Sequence, residues 1–227
     1  NIHEKFPNFL SSLCRKYNVE QFFHISALGI ENAKDSLYAC SKLEGEFFIR
    51  KNFKEANILK PSVIYSVDDN FTTNFMTILG LLPIFPLYYN GSTLFRPIYI
   101  SDLTEIIYQM IAKNIKSTTL ECVGPEEISL KNILKRLLKL IGKKRLLIPI
   151  PLVVAQLSAI FFQLFPRPLI TLDQLKLLKY QNIPSGKYKT NFDLKMPSNA
   201  KFDDEVKKYS YMWREGGQFS TVEETKN

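Results

Sequence analysis

The chain has 227 residues, is 45% apolar and 23% charged, and carries a formal net charge of +8. That composition excludes a disordered chain, a collagen and a disulfide scaffold, and the length allows one large domain or two small ones. Cys14, Cys40 and Cys122 are widely spaced with no C-x-x-C, which argues against a zinc site and for a reducing compartment.

The charge is local. Between Lys131 and Arg145 stand seven basic residues and no acidic one, so the other 212 residues sum to only +1. Immediately after comes a run of 21 residues, 146–166, with no charge at all. No signal peptide is visible, and because the chain opens on Asn1 it is expected to begin inside a longer protein.

In chain order, Phe6, Phe9, Leu10, Leu13, Cys14 and Tyr17 recur at helical spacing over 2–17. The short apolar run 21–26 reads as a buried strand ending at Ser26, with His24 packed in the core. Residues 36–54 read as a helix with Leu37, Cys40, Leu43, Phe47 and Phe48 on one side. A strand over 56–65 is broken at Pro61, which lacks a ladder donor. A helix over 70–80 follows a turn in which Asp68-Asp69 serves as helix cap, and a loop carries Pro83, Pro86 and Gly91. Next come a strand over 94–100, a helix over 101–113 capped by Ser101 or Asp102, and a strand over 119–123 stopped by Gly124-Pro125. Ser129 caps a helix that runs to Gly142. Strands alternating with helices of this length indicate an α/β sheet with crossovers.

Tyr38 and Lys42 stand four apart, on one helix face. With a hydroxyl such as that of Ser26, a phenol and an ammonium can pass a proton to a carbonyl or take one from an alcohol. The lysine is expected to lower the phenol pKa and the serine to orient the reacting oxygen. Y-x-x-x-K alone is weak: a chain with 11 tyrosines contains about one by chance.

The placement of Ser26 at a strand end, of Tyr38/Lys42 in the next helix and of Lys60-Pro61-Ser62-Val63 at the next strand end resembles the extended, epimerase-like short-chain dehydrogenase/reductases. More specific are FFHISALGI, YACSKLEGE, ANILKPSVIYSVDDNF, RPIYISDL, ECVGPEE and LFPRPLITLDQLKLLKYQNI, in that order. Together they are similar to the nucleotide-binding accessory subunit family of respiratory complex I (NADH:ubiquinone oxidoreductase), over roughly residues 18–185. Asp69-Asn70-Phe71 departs from that family's Asp-Arg-Phe at Asn70.

The resemblance implies the C-terminal part of a Rossmann-like NAD(P)-binding fold with a small, mostly helical C-terminal domain. The expected division is 1–125, a partial NAD(P)-binding domain; 126–215, a small domain with the basic and apolar helices; and 216–227, a disordered tail. It implies Ser26, Tyr38 and Lys42 as catalytic residues, and these three with Pro61, Ser62 and Val63 as the cofactor site. None of the nine glycines forms the G-x-x-G-x-x-G turn that cradles a pyrophosphate. NAD(P)(H) is therefore expected in the full-length parent and weakly or not at all in this chain.

The helix over 129–142 has an apolar face of Leu130, Ile133, Leu134, Leu137, Leu138 and Ile141, with lysines off it. The helix expected over 152–165 is apolar nearly all round and must be buried in protein or lipid. At 14 residues, about 21 Å, it falls short of the ~30 Å hydrocarbon core. An interfacial helix with adjacent lysines fits a membrane surface or a membrane-bound partner, and burial against the rest of its own small domain is the competing reading. The basic window has no aromatic interleaving and no nucleic-acid module, so nucleic acid is not expected, nor is a metal. The function expected is an accessory or assembly subunit of complex I with a structural nucleotide, contacting membrane-arm subunits. Its place would be peripheral, on the cytoplasmic face of a bacterial membrane or the matrix face of the mitochondrial inner membrane. The rival is an active NAD(P)-dependent oxidoreductase or epimerase using Ser26, Tyr38 and Lys42.

Overall fold

The computed structural model describes residues 2–163 and 170–217. The end of the 152–165 helix and residues 218–227 of the tail lie outside those described.

The elements follow in order: α1 (Ile2–Lys16), β1 (Phe23–Ile25), α2 (Leu37–Asn52), β2 (Asn57–Pro61), β3 (Ile64–Tyr65), α3 (Thr72–Leu81), β4 (Ile84–Leu87), β5 (Leu94–Phe95), β6 (Ile98–Tyr99) and α4 (Ile100–Ala112). After these come β7 (Thr119–Cys122), β8 (Ile128–Ser129), α5 (Leu130–Leu140), β9 (Leu146–Pro149), α6 (Leu152–Phe162), α7 (Leu172–Leu177), β10 (Lys189–Thr190) and α8 (Phe202–Ser210). The central sheet is parallel, in the order β1-β2-β7-β10. β2 is buried at all five positions, as a strand covered on both faces must be. The mixed α/β architecture with a parallel sheet and crossover helices is Rossmann-like.

Three departures from the local reading have tertiary causes. The 56–65 strand divides after Pro61: β2 stays in the central sheet while β3 pairs with β6. The loop at Pro83 and Pro86 contains a strand, β4, in parallel register with β9. Pro86 is tolerated there because β4 pairs on one side only, so a missing N–H can face away from the ladder. The 94–100 strand divides into β5 and β6 around Arg96-Pro97, and α4 begins one residue early with Tyr99 at its cap. The Asp102 carboxylate instead accepts the Ala200 N–H at 3.0 Å.

The first two helices bury a different side than their apolar stripes suggest. α1 seats Pro7 and Ser11 against α2, whose Ala39, Ser41, Gly45 and Ile49 are the buried positions. Gly45 is the reason: a Cβ there would stand 2.3 Å from the His3 carbonyl oxygen, so glycine alone permits this approach. Phe6, Phe9, Leu37 and Phe47 are left exposed.

α5 keeps its expected ends. The Ser129 hydroxyl accepts the Asn132 N–H, and Gly142 closes the helix at φ +67°. Its apolar face joins Met76, Leu79 and Phe85 on one side and Phe202 and Val206 on the other in the largest core cluster.

Candidate functional site

Ser26 follows β1 directly, and its N–H donates to the Leu59 carbonyl at 2.7 Å. Two residues on, Leu28 N–H donates to the Pro61 carbonyl (2.9 Å), so the chain after β1 runs alongside the end of β2. Here, at the carboxyl ends of parallel strands, lies a cavity of about 320 Å³. Ser26, Tyr38, Pro61, Ser62 and Val63 all line it. Lys42 does not.

The two helix residues owe their position to groups far away in sequence. Ser36 caps α2, its hydroxyl accepting the Ala39 N–H. The Asp173 carboxylate, from the first turn of α7, accepts the N–H groups of Leu37 (2.8 Å) and Tyr38 (3.1 Å) and the Ser36 hydroxyl (2.9 Å). A carboxylate at this end also opposes the positive pole of the helix. α7 is itself held by a capping box of Thr171 and Gln174.

Asn182 forms the opposite wall. Its side-chain oxygen accepts from the Ser62 hydroxyl (2.6 Å) and the Val63 N–H (3.0 Å), and its amide donates to the Leu28 carbonyl (2.9 Å). Gly29, between them, has φ +79°, and a Cβ there would meet the Gln181 carbonyl at 2.8 Å.

The electrostatics differ from the expected proton relay. The Lys42 ammonium donates to the Ile25 carbonyl (3.0 Å) and stands 5.9 Å from the Tyr38 ring centroid. Burial holds the Tyr38 phenol above its ordinary pKa, with no lowering contribution from Lys42. Burial also lowers the Lys42 pKa, against the pull of Glu46. The Ser26 hydroxyl donates to Glu46 Oε1.

Glu46 was not singled out by its sequence position, one turn beyond Lys42. Its Oε1 also receives the ammonium of Lys60 at 2.5 Å, and Lys60 pairs with Glu31 at 2.8 Å. Lys60 is only 1% exposed. Burial alone would lower its pKa, but the two carboxylates outweigh burial and hold the ammonium above its usual value. His24 lies near this cluster, half-buried, its Nε2 without a hydrogen-bond partner. Burial first, then Lys42, His3 and Lys60, bring its pKa down to about 4.

Asp69 acts as a cap: its carboxylate accepts the N–H groups of Ser66, Phe71 and Thr73 and the Thr72 hydroxyl. All three cysteines are free. Burial pushes the Cys122 thiol up to about 12, which leaves it inert.

The apolar segment divides its helix between core and surface. On α6, Ala155 and Ala159 pack against Tyr88, Ile170 and Leu175, while Leu152, Val153, Val154, Leu157 (62% exposed) and Ile160 face outward. Register pairs Ile84 with Leu146 and Pro86 with Ile148, and Ile84, Leu146 and Ile148 are exposed too. Lys131, Lys135, Lys139 and Lys144 are exposed, whereas Arg136 pairs with Glu126 and Arg145 donates to the Leu79 and Gly80 carbonyls at the end of α3. Among the described residues no helix is long and apolar enough to cross a membrane.

No protein-family model matches the chain. It is similar to NADH dehydrogenase (ubiquinone) 1 alpha subcomplex subunit 9, mitochondrial, of Mus musculus, 25% identical over 186 residues, which are 81% of this chain and 49% of that protein. It is also similar to the mitochondrial NADH-ubiquinone oxidoreductase 40 kDa subunit of Neurospora crassa, 20% identical over 86% of this chain and 51% of the relative. The chain thus spans about half the length of the curated relatives it matches. Among solved structures it shares its fold with the UDP-glucuronic acid 4-epimerase of Bacillus cereus bound to UDP-glucuronic acid and NAD (TM-score 0.62, 18% identity, 92% of this chain and 67% of that one). The dTDP-glucose 4,6-dehydratase of Bacillus anthracis in complex with NAD is similar in the same way (TM-score 0.65, 13% identity, 93% and 67%).

Proposed function

We propose that this chain belongs to an NAD(P)(H)-binding, short-chain-dehydrogenase-like accessory or assembly subunit of membrane-bound NADH:ubiquinone oxidoreductase, with a structural rather than a consumed nucleotide. The observation that carries the structural reading is the engagement of the site's own groups. Lys42 is tied to the Ile25 carbonyl, Ser26 donates to Glu46, and Tyr38 is held above its ordinary pKa. A poised acid/base would need the opposite tuning. The likeness to complex I subunits of mouse and Neurospora supports the assignment of partners.

In this reading residues 1–125 supply the nicotinamide side of the cofactor site. Ser26, Tyr38, Pro61, Ser62 and Val63 line the cavity, and Lys42 reaches the ribose only after leaving Ile25. The pyrophosphate cradle lies in the longer parent, so this chain alone binds dinucleotide weakly or not at all. Residues 126–215 supply the membrane side: the outer face of α6 and the β4–β9 pair enter the interface, and the exposed lysines meet anionic headgroups or membrane-arm subunits. The protein is then peripheral, on the matrix face of the mitochondrial inner membrane or the cytoplasmic face of a bacterial one.

Affinity purification of the full-length protein from detergent-solubilised membranes tests this. Recovery of complex I subunits with it supports the reading, and their consistent absence ends it. The second reading, an active oxidoreductase or epimerase, draws on Ser26 and Tyr38 lining one cavity, with Lys42 one helical turn from Tyr38. Consumption of a substrate with NAD(P)H by the full-length protein would favour it.

A further inference from the structure

A second cavity of about 270 Å³ opens between α3, β4 and α7, lined by groups other than Ser26 and Tyr38. Phe75, Ile78, Leu82, Phe85, Leu177 and Leu178 are among the apolar residues of its wall. Among the described residues that line it there is no lysine, arginine or carboxylate. Its polar side chains are few, those of Asn70, Asn74, Tyr88 and Gln174; of these the Asn74 amide donates to the Asn70 carbonyl (2.8 Å), and the Gln174 side-chain oxygen accepts the Thr171 N–H (2.9 Å). A sugar or a phosphate entering here would lose its water and find too few partners in exchange. An alkyl chain needs none.

The position of the cavity says where such a chain would come from. Leu82 lines it and is also 37% exposed, next to exposed Leu81 and Ile84, so its rim merges with the apolar surface of β4 and β9. On the inner side it shares Tyr88 and Ile170 with the cluster that seats α6. The lysines at 143 and 144 stand directly before β9, within a stretch free of acidic residues.

We propose that this cavity receives one acyl chain of a membrane phospholipid, whose anionic headgroup stays outside at the lysines. The proposal rests on the membrane-facing reading above and deepens it: the surface would lie on the bilayer and also draw one lipid chain out of it.

The test uses the full-length protein with phosphatidylcholine vesicles containing one-fifth phosphatidylglycerol and a phosphatidylcholine bearing a diazirine on one acyl chain. After flotation and irradiation, cross-linked peptides are mapped. Cross-links on α3, β4 and α7 in addition to α6 are expected. Asn74→Trp, at the exposed rim, and Ile78→Trp, inside, should each abolish the α3 and α7 cross-links while flotation stays unchanged. Cross-links confined to α6 and β9, or unaltered by both tryptophans, overturn the acyl-chain proposal and leave the membrane reading standing. Loss of flotation by the unaltered protein overturns both.

Discussion

The carboxylate of Asp173 accepts the backbone N–H of Tyr38 at 3.1 Å across 135 residues of chain. It thereby fixes the first turn of the helix that presents the phenol to the cavity. Asp173→Ala should leave the N–H groups of Leu37 and Tyr38 without this acceptor and destabilise the protein by about 1–2 kcal/mol, the usual scale for a charged helix cap. Urea unfolding measures the loss, and faster amide exchange at 37–39 should accompany it. Asp173→Asn, which keeps an acceptor without the charge, should fall between. An unchanged midpoint for Asp173→Ala would refute the clamp.

Glu46 and Lys60 form the most buried ion pair described, with Glu31 as the second carboxylate. Glu46→Gln leaves the Lys60 ammonium with one partner and should cost about 3 kcal/mol, as breaking a buried pair does. Replacing both groups with apolar residues of similar size, Glu46→Leu with Lys60→Met, should recover most of that loss. Chemical denaturation of the three variants decides; a double variant no more stable than Glu46→Gln would contradict the account.

The His24 imidazole stays neutral in the folded protein down to about pH 4, whereas an unfolded chain takes up its proton near 6.5. Between those values the unfolded state binds more protons, so stability falls as pH drops from about 6.5 to 4. Lys42, His3 and Lys60 act on it in the same direction. Allowing for its partial exposure, the effect should be roughly 2 kcal/mol across that window. His24→Gln should flatten this limb of the stability profile, and an equally steep limb in the variant would assign it to other groups.

Tyr38→Phe separates the two functional readings in the full-length protein. With a structural nucleotide, assembly with complex I subunits should be unchanged, because no proton transfer by the phenol is needed. In an enzyme the same substitution should cut turnover by about a hundredfold or more. Because burial raises the Tyr38 pKa, any activity requiring its anion should rise only at strongly alkaline pH.

On the outer face of α6, Leu157→Lys places a charge at the centre of the exposed apolar surface and should abolish vesicle flotation. Charge reversal at Lys143 and Lys144 should weaken it by about thirtyfold or more, at about 1 kcal/mol per lysine lost near an anionic surface, and added salt should mimic it. Flotation indifferent to both changes would assign this face to a protein partner.

Most elements could be read locally because their signals are local. Ser129 and Gly142 mark the ends of α5, the alternation of short apolar runs with helical spacing gives the α/β class, and the charge boundary at 145/146 precedes β9 and α6. Caps, turns and periodicity act within four residues, so one stretch of chain contains them whole. The same stretch does not say which neighbour a face will meet. Apolar Phe6 and Phe47 point outward because Gly45 lets α1 approach on another side, and only the packed pair reveals that. Tyr38, Lys42 and Ser26 were recognisable as a set, but their chemistry depends on Glu46, Ile25 and Asp173. Burial sets the protonation of Tyr38 and Lys42, and contacts from distant segments decide what each hydroxyl and ammonium is bonded to. Both are properties of the folded volume, which no spacing along the chain encodes.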